Sequence, residues 1–291
     1  MREIKQILFP TDLSPGNETI IRHALTFAEL YGAVVHIFHA TLLYEDEDLE
    51  NADGRTESEV AAMARMKKLA EGHANVSVVP VQGCGETVTA SIMGYIRRHP
   101  IDMVIMGTHG HGGFKRWFLG SIAEEIVHLA PCPVLTLKET WKPEQKWDIK
   151  SILVPIDFSL ASQTAVRYGK ELAAKCGASI QLLHVIQQSP NPEVYGTPAY
   201  MLQDFYKGAE QKAVGIIKRL LEEPGPNVPA DYCIICGHPG REVLKHAKEQ
   251  NCDLILMAHL GMTRLPDRMF GSITEHVVRT SACPVLTADM G

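Results

Sequence analysis

The sequence predicts an α/β protein built from two tandem, doubly wound domains. Each domain is expected to hold a five-stranded parallel sheet of order 3-2-1-4-5 with helices on both faces. Two observations lead to this prediction: short apolar runs alternate with segments of helical spacing, and the chain repeats itself once. At 291 residues the chain is long enough for two domains that each bury a core.

The repeat covers the beginning and the end of each half. Residues 4–40 and 149–185 align without a gap and share 13 identities in 37 positions. Residues 102–136 and 253–287 share 13 identities in 35. A period near 145 residues is too long for a solenoid repeat and therefore indicates two domains. We place the domains at residues 1–140 and 148–291, joined by a polar linker within residues 138–150.

The elements follow from apolar spacing and from Gly32, which opens the second strand. Strands of the first half are predicted at residues 7–10, 34–39, 76–81, 103–106 and 134–137. Its helices are predicted at residues 17–31, 56–71, 87–99 and 122–129. Strands of the second half are predicted at residues 152–154, 180–184, 232–235, 254–257 and 285–287.

Composition excludes several classes of protein. The formal charge of −6 and the lack of a dense basic stripe argue against a nucleic-acid partner. No apolar run approaches the roughly 20 residues of a membrane-spanning helix, and the first residues lack the layout of a signal peptide. We therefore expect a cytoplasmic protein without a membrane partner. Seven scattered cysteines indicate reduced thiols rather than a disulfide framework.

The two segments that match best in the repeat converge on one predicted crevice. In the assumed strand order, strands 1 and 4 meet at the switch point, where ligands bind beyond the carboxyl ends of the strands. Strand 1 ends in Pro10-Thr11-Asp12, and strand 4 ends in Gly107-Thr108-His109-Gly110. The stretch from Gly107 to Ser121 also has the strand, glycine loop and helix start from which phosphate sites are built.

At these residues the sequence resembles the universal stress protein family, specifically its tandem-domain members. The resemblance rests on the Gly-x2-Gly-x9-Gly-Ser loop from Gly107 to Ser121, on Asp12 after strand 1, and on the closing run Cys132-Pro133-Val134-Leu135. In members that bind ATP, the loop holds ribose and phosphates, and residues after strands 1 and 2 hold the nucleoside. The resemblance thus implies a nucleotide site at Pro10, Thr11, Asp12, Ala40, Gly107, His109, Gly110, Gly120, Ser121 and Ile122.

The resemblance implies a weaker second site at Asp157, Val185, Gly261, Gly271, Ser272 and Ile273. Ala258 stands there in place of the first loop glycine. If that position requires positive φ or close approach to a ligand, the alanine methyl is unfavourable. We expect phosphate to prefer the first half. The implied ligand is ATP, with ADP or AMP as alternatives, and the resemblance leaves open whether Mg²⁺ accompanies it.

Several of these residues have a structural alternative. Ser121 with Glu124, and Ser272 with Glu275, fit a helix capping box that needs no ligand. Asp12 is expected either to cap the following helix or to bind the ligand. His39 and His184 are expected to be structural. His109 and His111 lack a third metal ligand, and Cys233 and Cys236 lie on opposite faces of a predicted strand, so we expect no metal site.

No catalytic residues are predicted, because the chain lacks both a phosphate loop with its lysine and a nucleophile elbow. Any ATP hydrolysis should be slow. The leading hypothesis is a nucleotide-binding stress protein that acts through ligand-dependent conformation or partner binding. The alternative is a scaffold that binds no nucleotide and is built as an intrachain pseudo-dimer. Under either hypothesis we expect the two domains to pack through their fifth strands, residues 134–137 and 285–287. A third hypothesis is an adenylate-using enzyme of related fold, and a homodimer of the whole chain stays open.

Overall fold

Each half of the chain folds around a parallel sheet, as the computed structural model shows. It describes residues 3–14, 16–42, 57–69, 71, 75–108, 120–138, 148–187, 199–259 and 271–288. The chain divides into two compact units, Met1–Trp147 and Asp148–Gly291.

The first unit alternates strands and helices along the chain. Its strands are β1 (Gln6–Pro10), β2 (Val34–Leu42), β3 (Val78–Gly85), β4 (Met103–Gly107) and β5 (Val134–Leu137). Its helices are α1 (Asn17–Tyr31), α2 (Glu57–Leu69), α3 (Val88–Arg98) and α4 (Ser121–Leu129). The strands pair in parallel in the order β3-β2-β1-β4-β5, which is the predicted doubly wound order.

The second unit repeats this arrangement. Its strands are β6 (Ser151–Ile156), β7 (Ser179–Gln187), β8 (Ala230–Gly237), β9 (Leu254–Ala258) and β10 (Val285–Ala288). Its helices are α5 (Leu160–Cys176), α6 (Ala199–Glu222), α7 (Pro239–Glu249) and α8 (Ser272–Thr280). Parallel pairing in the order β8-β7-β6-β9-β10 places β6 and β9 side by side, as β1 and β4 are in the first unit.

The strands β2 and β3 extend further at their carboxyl ends than apolar spacing predicts. The third strand was expected at residues 76–81, whereas β3 spans Val78–Gly85 and pairs with β2 as far as Leu42 opposite Gly85. Its last residues include Gln82, Gly83 and Cys84, which carry no apolar run. Backbone hydrogen bonds with β2 hold these residues in the sheet. Apolar spacing reflects side chains only, so it does not predict this part of the strand.

One carboxylate in each unit fixes the strand register beneath the crevice. Asp102, just before β4, accepts hydrogen bonds through Oδ2 from the backbone N–H groups of Lys5 at 2.8 Å and Gln6 at 2.9 Å. Asp253 does the same for Lys150 and Ser151 at 2.9 and 3.0 Å. These contacts join the starts of two neighbouring strands, so the carboxyl ends of the same strands meet at the opposite edge of the sheet.

An imidazole connects sheet and helix in each unit, and it lies on the strand in the first unit and on the helix in the second. His36 on β2 lies 2.7 Å through Nδ1 from the Tyr95 hydroxyl on α3, and 2.6 Å through Nε2 from Gln6 Oε1. In the second unit Gln181 is on the strand, and its Oε1 lies 2.6 Å from Nε2 of His246 on α7. Burial lowers the pKa of His36 and of His246, and likewise that of His23 on α1.

These lowered pKa values predict that the free energy of unfolding falls as the pH is reduced below 6.5, the ordinary histidine value. Between that value and each lowered pKa the unfolded chain binds more protons than the folded chain, so acid favours unfolding. The contribution of these uncharged histidines to the free energy of unfolding is complete above pH 6.5, and it decreases as the pH falls from 6.5 towards each lowered pKa. Urea denaturation at pH 7.5 and pH 5.5 measures it, and an unchanged or higher midpoint at pH 5.5 would contradict the prediction.

Candidate functional site

The residues after β1 form a tight turn that orients Asp12. Asp12 Oδ1 accepts hydrogen bonds from the Ser14 backbone N–H at 2.9 Å and from the side-chain amide of Asn17. Leu13, between them, has a left-handed backbone with φ of 58°. The N-cap of α1 is Gly16, so Asp12 does not cap that helix as one alternative expected. It holds the turn that precedes the helix, which leaves the carboxylate half-buried at the end of the strand.

The second unit builds the same turn. Asp157 Oδ1 accepts a hydrogen bond from the Ser159 backbone N–H at 3.0 Å, and Phe158 has φ of 66°. Ser159 then caps α5, because its hydroxyl accepts the Ser162 N–H at 3.1 Å. Two unrelated side chains, Leu13 and Phe158, thus adopt an unfavourable left-handed backbone at the same place. The turn is a property of the fold, and the aspartate supplies its hydrogen bond.

Strand 2 supports the turn through a histidine in each unit. His39 lies 3.0 Å through Nδ1 from the Thr11 carbonyl, which accepts its N–H. His184 makes the same contact with the Ile156 carbonyl at 2.9 Å. The structural role expected for these two histidines is confirmed. Thr11 is itself buried, and its hydroxyl accepts the Leu13 N–H at 3.0 Å, so the chain after Pro10 is held on both sides.

Ala40 and Val185 occupy matching places near the ends of the second strands. Ala40 pairs with Gly83 on β3, and Val185 pairs with Ile235 on β8. Both residues are half-buried beside the strand that carries the aspartate turn. The position implied for nucleoside contact is therefore at the predicted edge of the sheet in both units.

The glycine loop is closed at its base. Gly107 ends β4, and the Gly120 N–H donates to the Thr108 carbonyl at 2.7 Å, which brings the two ends of the loop together. A Cβ atom added at Gly120 would lie 3.2 Å from that carbonyl oxygen, a tight contact, so glycine favours this close backbone approach. Residues 109–119 lie outside the described residues, and the predicted contacts of His109 and Gly110 lie there too.

The capping-box prediction is wrong in both units. Gly120 is the N-cap of α4, with the extended backbone φ −64° and ψ 145°, and its carbonyl accepts the Glu124 N–H at 2.9 Å. Gly271 plays the same part for α8. The helices therefore begin at Ser121 and Ser272, one residue earlier than expected, because the glycine that closes the loop also starts the first turn. Ser121 is exposed, as is Ile122 with 37% of its surface accessible.

Ala258 does not strain the backbone. Gly107 pairs with Leu137 at the end of β4, and Ala258 pairs with Ala288 at the end of β9. Both positions lie in regular parallel pairing, an extended conformation that alanine adopts readily, so a positive φ is not required there. The difference between the units at this place is the methyl group itself. The Ala258 carbonyl also accepts the buried Thr274 hydroxyl at 3.1 Å.

The second crevice carries larger side chains than the first. Val185, Ala258 and His259 stand where the first unit has Ala40, Gly107 and Thr108. Phe158 replaces Leu13, and its ring packs on that of His184 with centroids 4.2 Å apart. The loop base is the same, since the Gly271 N–H donates to the His259 carbonyl at 2.9 Å. Ser272 and Ile273 begin α8 as exposed residues, and Gly261 lies outside the described residues.

Metal and thiol chemistry find little support in the described part of the chain. Within those ranges no three His, Cys, Asp or Glu side chains are grouped to hold a metal ion, and His111 lies beyond them. All seven cysteines are described and are free thiols, including Cys233 and Cys236 on β8. Burial raises the pKa of Cys132 to about 12 and that of Cys283 to about 11, which disfavours their reactive thiolate forms.

Among the helices that the structure describes, none is both long and apolar enough to cross a membrane.

Comparison with known proteins addresses both halves. The model of the universal stress protein family matches residues 3–138 and 148–288. A universal stress protein of Mycobacterium bovis is 25% identical over 189 residues, which are 64% of this chain and 61% of that protein. One of Methanocaldococcus jannaschii is 29% identical over 141 residues, 47% of this chain and 80% of its own length. The chain thus spans about six-tenths of the M. bovis relative.

A solved structure shows the same fold over the whole length. The crystal structure of a universal stress protein from Archaeoglobus fulgidus covers 100% of both chains with a TM-score of 0.66 and 20% identity. Since the family model matches each half separately, this chain belongs to the universal stress protein family and contains two copies of its domain.

Proposed function

We propose that the first crevice binds an adenine nucleotide and that the second does not, so that one nucleotide is bound per chain. The observation that carries this proposal is the convergence of two groups at the ends of β1 and β4. One is the Asp12 carboxylate, fixed by its turn. The other is the start of α4, joined to Thr108 through Gly120. A carboxylate accepts hydrogen bonds from sugar hydroxyls, and the first amides of a helix donate to phosphate.

The start of α4 suits this role better than the sequence indicated. With Gly120 as the N-cap, the backbone N–H groups of Ser121 and Ile122 have no acceptor within the helix. The Ser121 hydroxyl is not occupied by capping and lies on an exposed residue. An anion placed there would receive hydrogen bonds and the positive end of the helix dipole. The loop residues His109 and Gly110 belong to the proposed site by family resemblance.

Restriction to the first crevice follows from side-chain size. Ala40 and Gly107 carry the smallest side chains at the ends of β2 and β4, whereas Val185 and Ala258 add two and one carbon atoms at those places. Extra carbon atoms in a pocket weaken binding of a ligand that fits the smaller one. Asp157 and its turn persist in the second unit, so the carboxylate alone does not define the site. The second unit then serves the scaffold role that was the alternative for the whole chain.

Catalysis is not part of this proposal. The proposed phosphate contacts are the backbone amides at the start of α4 and the Ser121 hydroxyl, which bind an anion without transferring a proton. Such a site binds and releases a nucleotide, with hydrolysis slow at most. We propose that occupancy changes the conformation or the partners of the protein in the cytoplasm, where the seven free thiols would stay reduced.

Calorimetry on protein stripped of nucleotide tests the proposal. ATP should bind with a stoichiometry of one per chain, and comparison with ADP and AMP, with and without Mg²⁺, defines which phosphates and which ion contribute. If calorimetry shows no heat of binding, and equilibrium dialysis shows no retained nucleotide, at millimolar ATP, ADP and AMP, the proposal of nucleotide binding is overturned. A stoichiometry of two would overturn the restriction to the first crevice.

A further inference from the structure

In each aspartate turn, the carbonyl of the residue with the left-handed backbone accepts a hydrogen bond from a side chain. The donor side chain comes from a different helix position in each unit. In the second unit the Phe158 carbonyl accepts the side-chain amide of Gln163 at 3.1 Å, from the first turns of the helix that follows. In the first unit the Leu13 carbonyl accepts the guanidinium of Arg65 at 2.8 Å. Arg65 belongs to α2, 52 residues further along the chain.

The local donor of the second unit has no counterpart in the first. Glu18 occupies the position on α1 that corresponds to Gln163 on α5 in the ungapped repeat. A carboxylate accepts hydrogen bonds and has no N–H to donate, so it cannot hold the Leu13 carbonyl. The arginine from α2 supplies the missing bond, and being charged it supplies a stronger one.

We propose that Arg65 is a positioning residue for the first crevice: it fixes the turn that orients Asp12 and makes nucleotide affinity depend on the placement of α2. The inference rests on the proposed function, because the turn matters for affinity only if Asp12 contacts the ligand. In the second unit the donor Gln163 lies on α5, the helix that directly follows the turn, so this hydrogen bond does not involve α6.

The surroundings of Arg65 allow this link to change. Arg65 is exposed and lines a cavity of about 320 Å³ between α1 and α2, whose wall includes Leu13 and Ser14 of the turn. The bond to the carbonyl is thus partly accessible from solvent. Coupling would require that the ligand favour the placement of α2 in which the Arg65 bond is made.

Lys68 provides the matched control. It lies one turn further along α2 and lines the same cavity, and it carries the same charge. Its side chain makes no hydrogen bond to residues 12–14, all of which are described. Replacing either residue with alanine removes one positive charge from one helix, but only Arg65→Ala removes the hold on the turn.

Hydrogen exchange without nucleotide is the first test. The Leu13 and Ser14 amides are bonded to Thr11 Oγ1 and Asp12 Oδ1 within the turn. Arg65→Ala should speed their exchange by about tenfold, while Lys68→Ala leaves it unchanged. Equal exchange in the wild type and both variants would overturn the positioning role, whatever the protein binds.

Affinity for ATP is the second test, on the same proteins. Arg65→Ala should weaken binding by about five- to tenfold, and Lys68→Ala by less than about twofold. Adding Glu18→Gln to Arg65→Ala supplies the donor that the second unit uses and should restore most of the affinity. Equal weakening by both alanine variants, or no rescue by Glu18→Gln, would overturn the inference. Failure of the wild type to bind would instead overturn the proposed function.

Discussion

Asp12→Ala should weaken ATP binding by about 100-fold, whereas Asp157→Ala should leave it within about twofold of the wild type. Removing Asp12 takes away both the carboxylate proposed to contact the nucleoside and the bond that fixes the turn to Ser14. Calorimetry with each variant measures the difference. Equal affinity in Asp12→Ala and the wild type would show that the first crevice does not use this carboxylate.

Asp157→Ala is a strict control because it breaks the same kind of bond. Asp157 accepts the Ser159 N–H at 3.0 Å, as Asp12 accepts the Ser14 N–H at 2.9 Å. Both variants lose a turn hydrogen bond worth about 1 kcal/mol, so thermal unfolding should reveal a loss of stability in each. A loss of nucleotide affinity in both would mean that both crevices bind, or that affinity follows stability alone.

Gly83→Ile should destabilise the protein by about 3 kcal/mol, because the space beside Gly83 is filled. A Cβ atom at this position would lie 2.1 Å from the ring of Phe38 and 2.7 Å from the Ser91 hydroxyl. Phe38 is buried, and its ring packs against Tyr95 with centroids 5.2 Å apart, so the ring has little freedom to withdraw. Urea denaturation measures the loss.

The second unit shows how that loss can be reversed. Leu183 and Ile235 stand where the first unit has Phe38 and Gly83, so a smaller residue on strand 2 accompanies a larger one on strand 3. Phe38→Leu added to Gly83→Ile should recover about half of the lost free energy, a coupling typical of residues in contact. Gly94→Ala, where an added Cβ meets only Arg98 at 3.6 Å, should not destabilise α3. Additive losses in the double variant would contradict this account.

Elements bounded by local signals were predictable from the sequence. The bounds of α1 and β5 match the predicted residues 17–31 and 134–137. Gly32 ends α1 in a left-handed conformation with φ of 61°. A glycine directly after a segment of helical spacing is typical of such a helix end. The parallel sheet followed from the alternation of strands and helices, since parallel strands need crossover connections, whereas the strand order was assumed as a common order for such sheets.

Features that depend on distant partners were not predictable. The hold of Arg65 on Leu13 spans 52 residues, and nothing in the spacing of charges marks it. Lys170, buried on α5, donates to the carbonyls of Leu221 and Glu223 at 2.6 and 3.1 Å at the end of α6, although a lysine in a helix ordinarily faces solvent. Such contacts depend on how helices pack, which a pattern along one segment does not contain.

The capping error has a related cause. Ser-x-x-Glu fits a capping box at both loop ends, but the preceding glycine occupies the cap because it closes onto Thr108 or His259. A constraint from loop closure shifted the helix start by one residue. For the candidate site, the aspartate turn and the loop ends could be placed from the sequence, whereas the neighbours that orient them required the structure.

Native mass spectrometry of nucleotide-stripped protein with added ATP tests the central claim most directly. The account predicts one bound nucleotide per chain at saturation, loss of that nucleotide in Asp12→Ala, and its retention in Asp157→Ala. Two bound nucleotides per chain, or one that is lost with Asp157 and kept without Asp12, would contradict it.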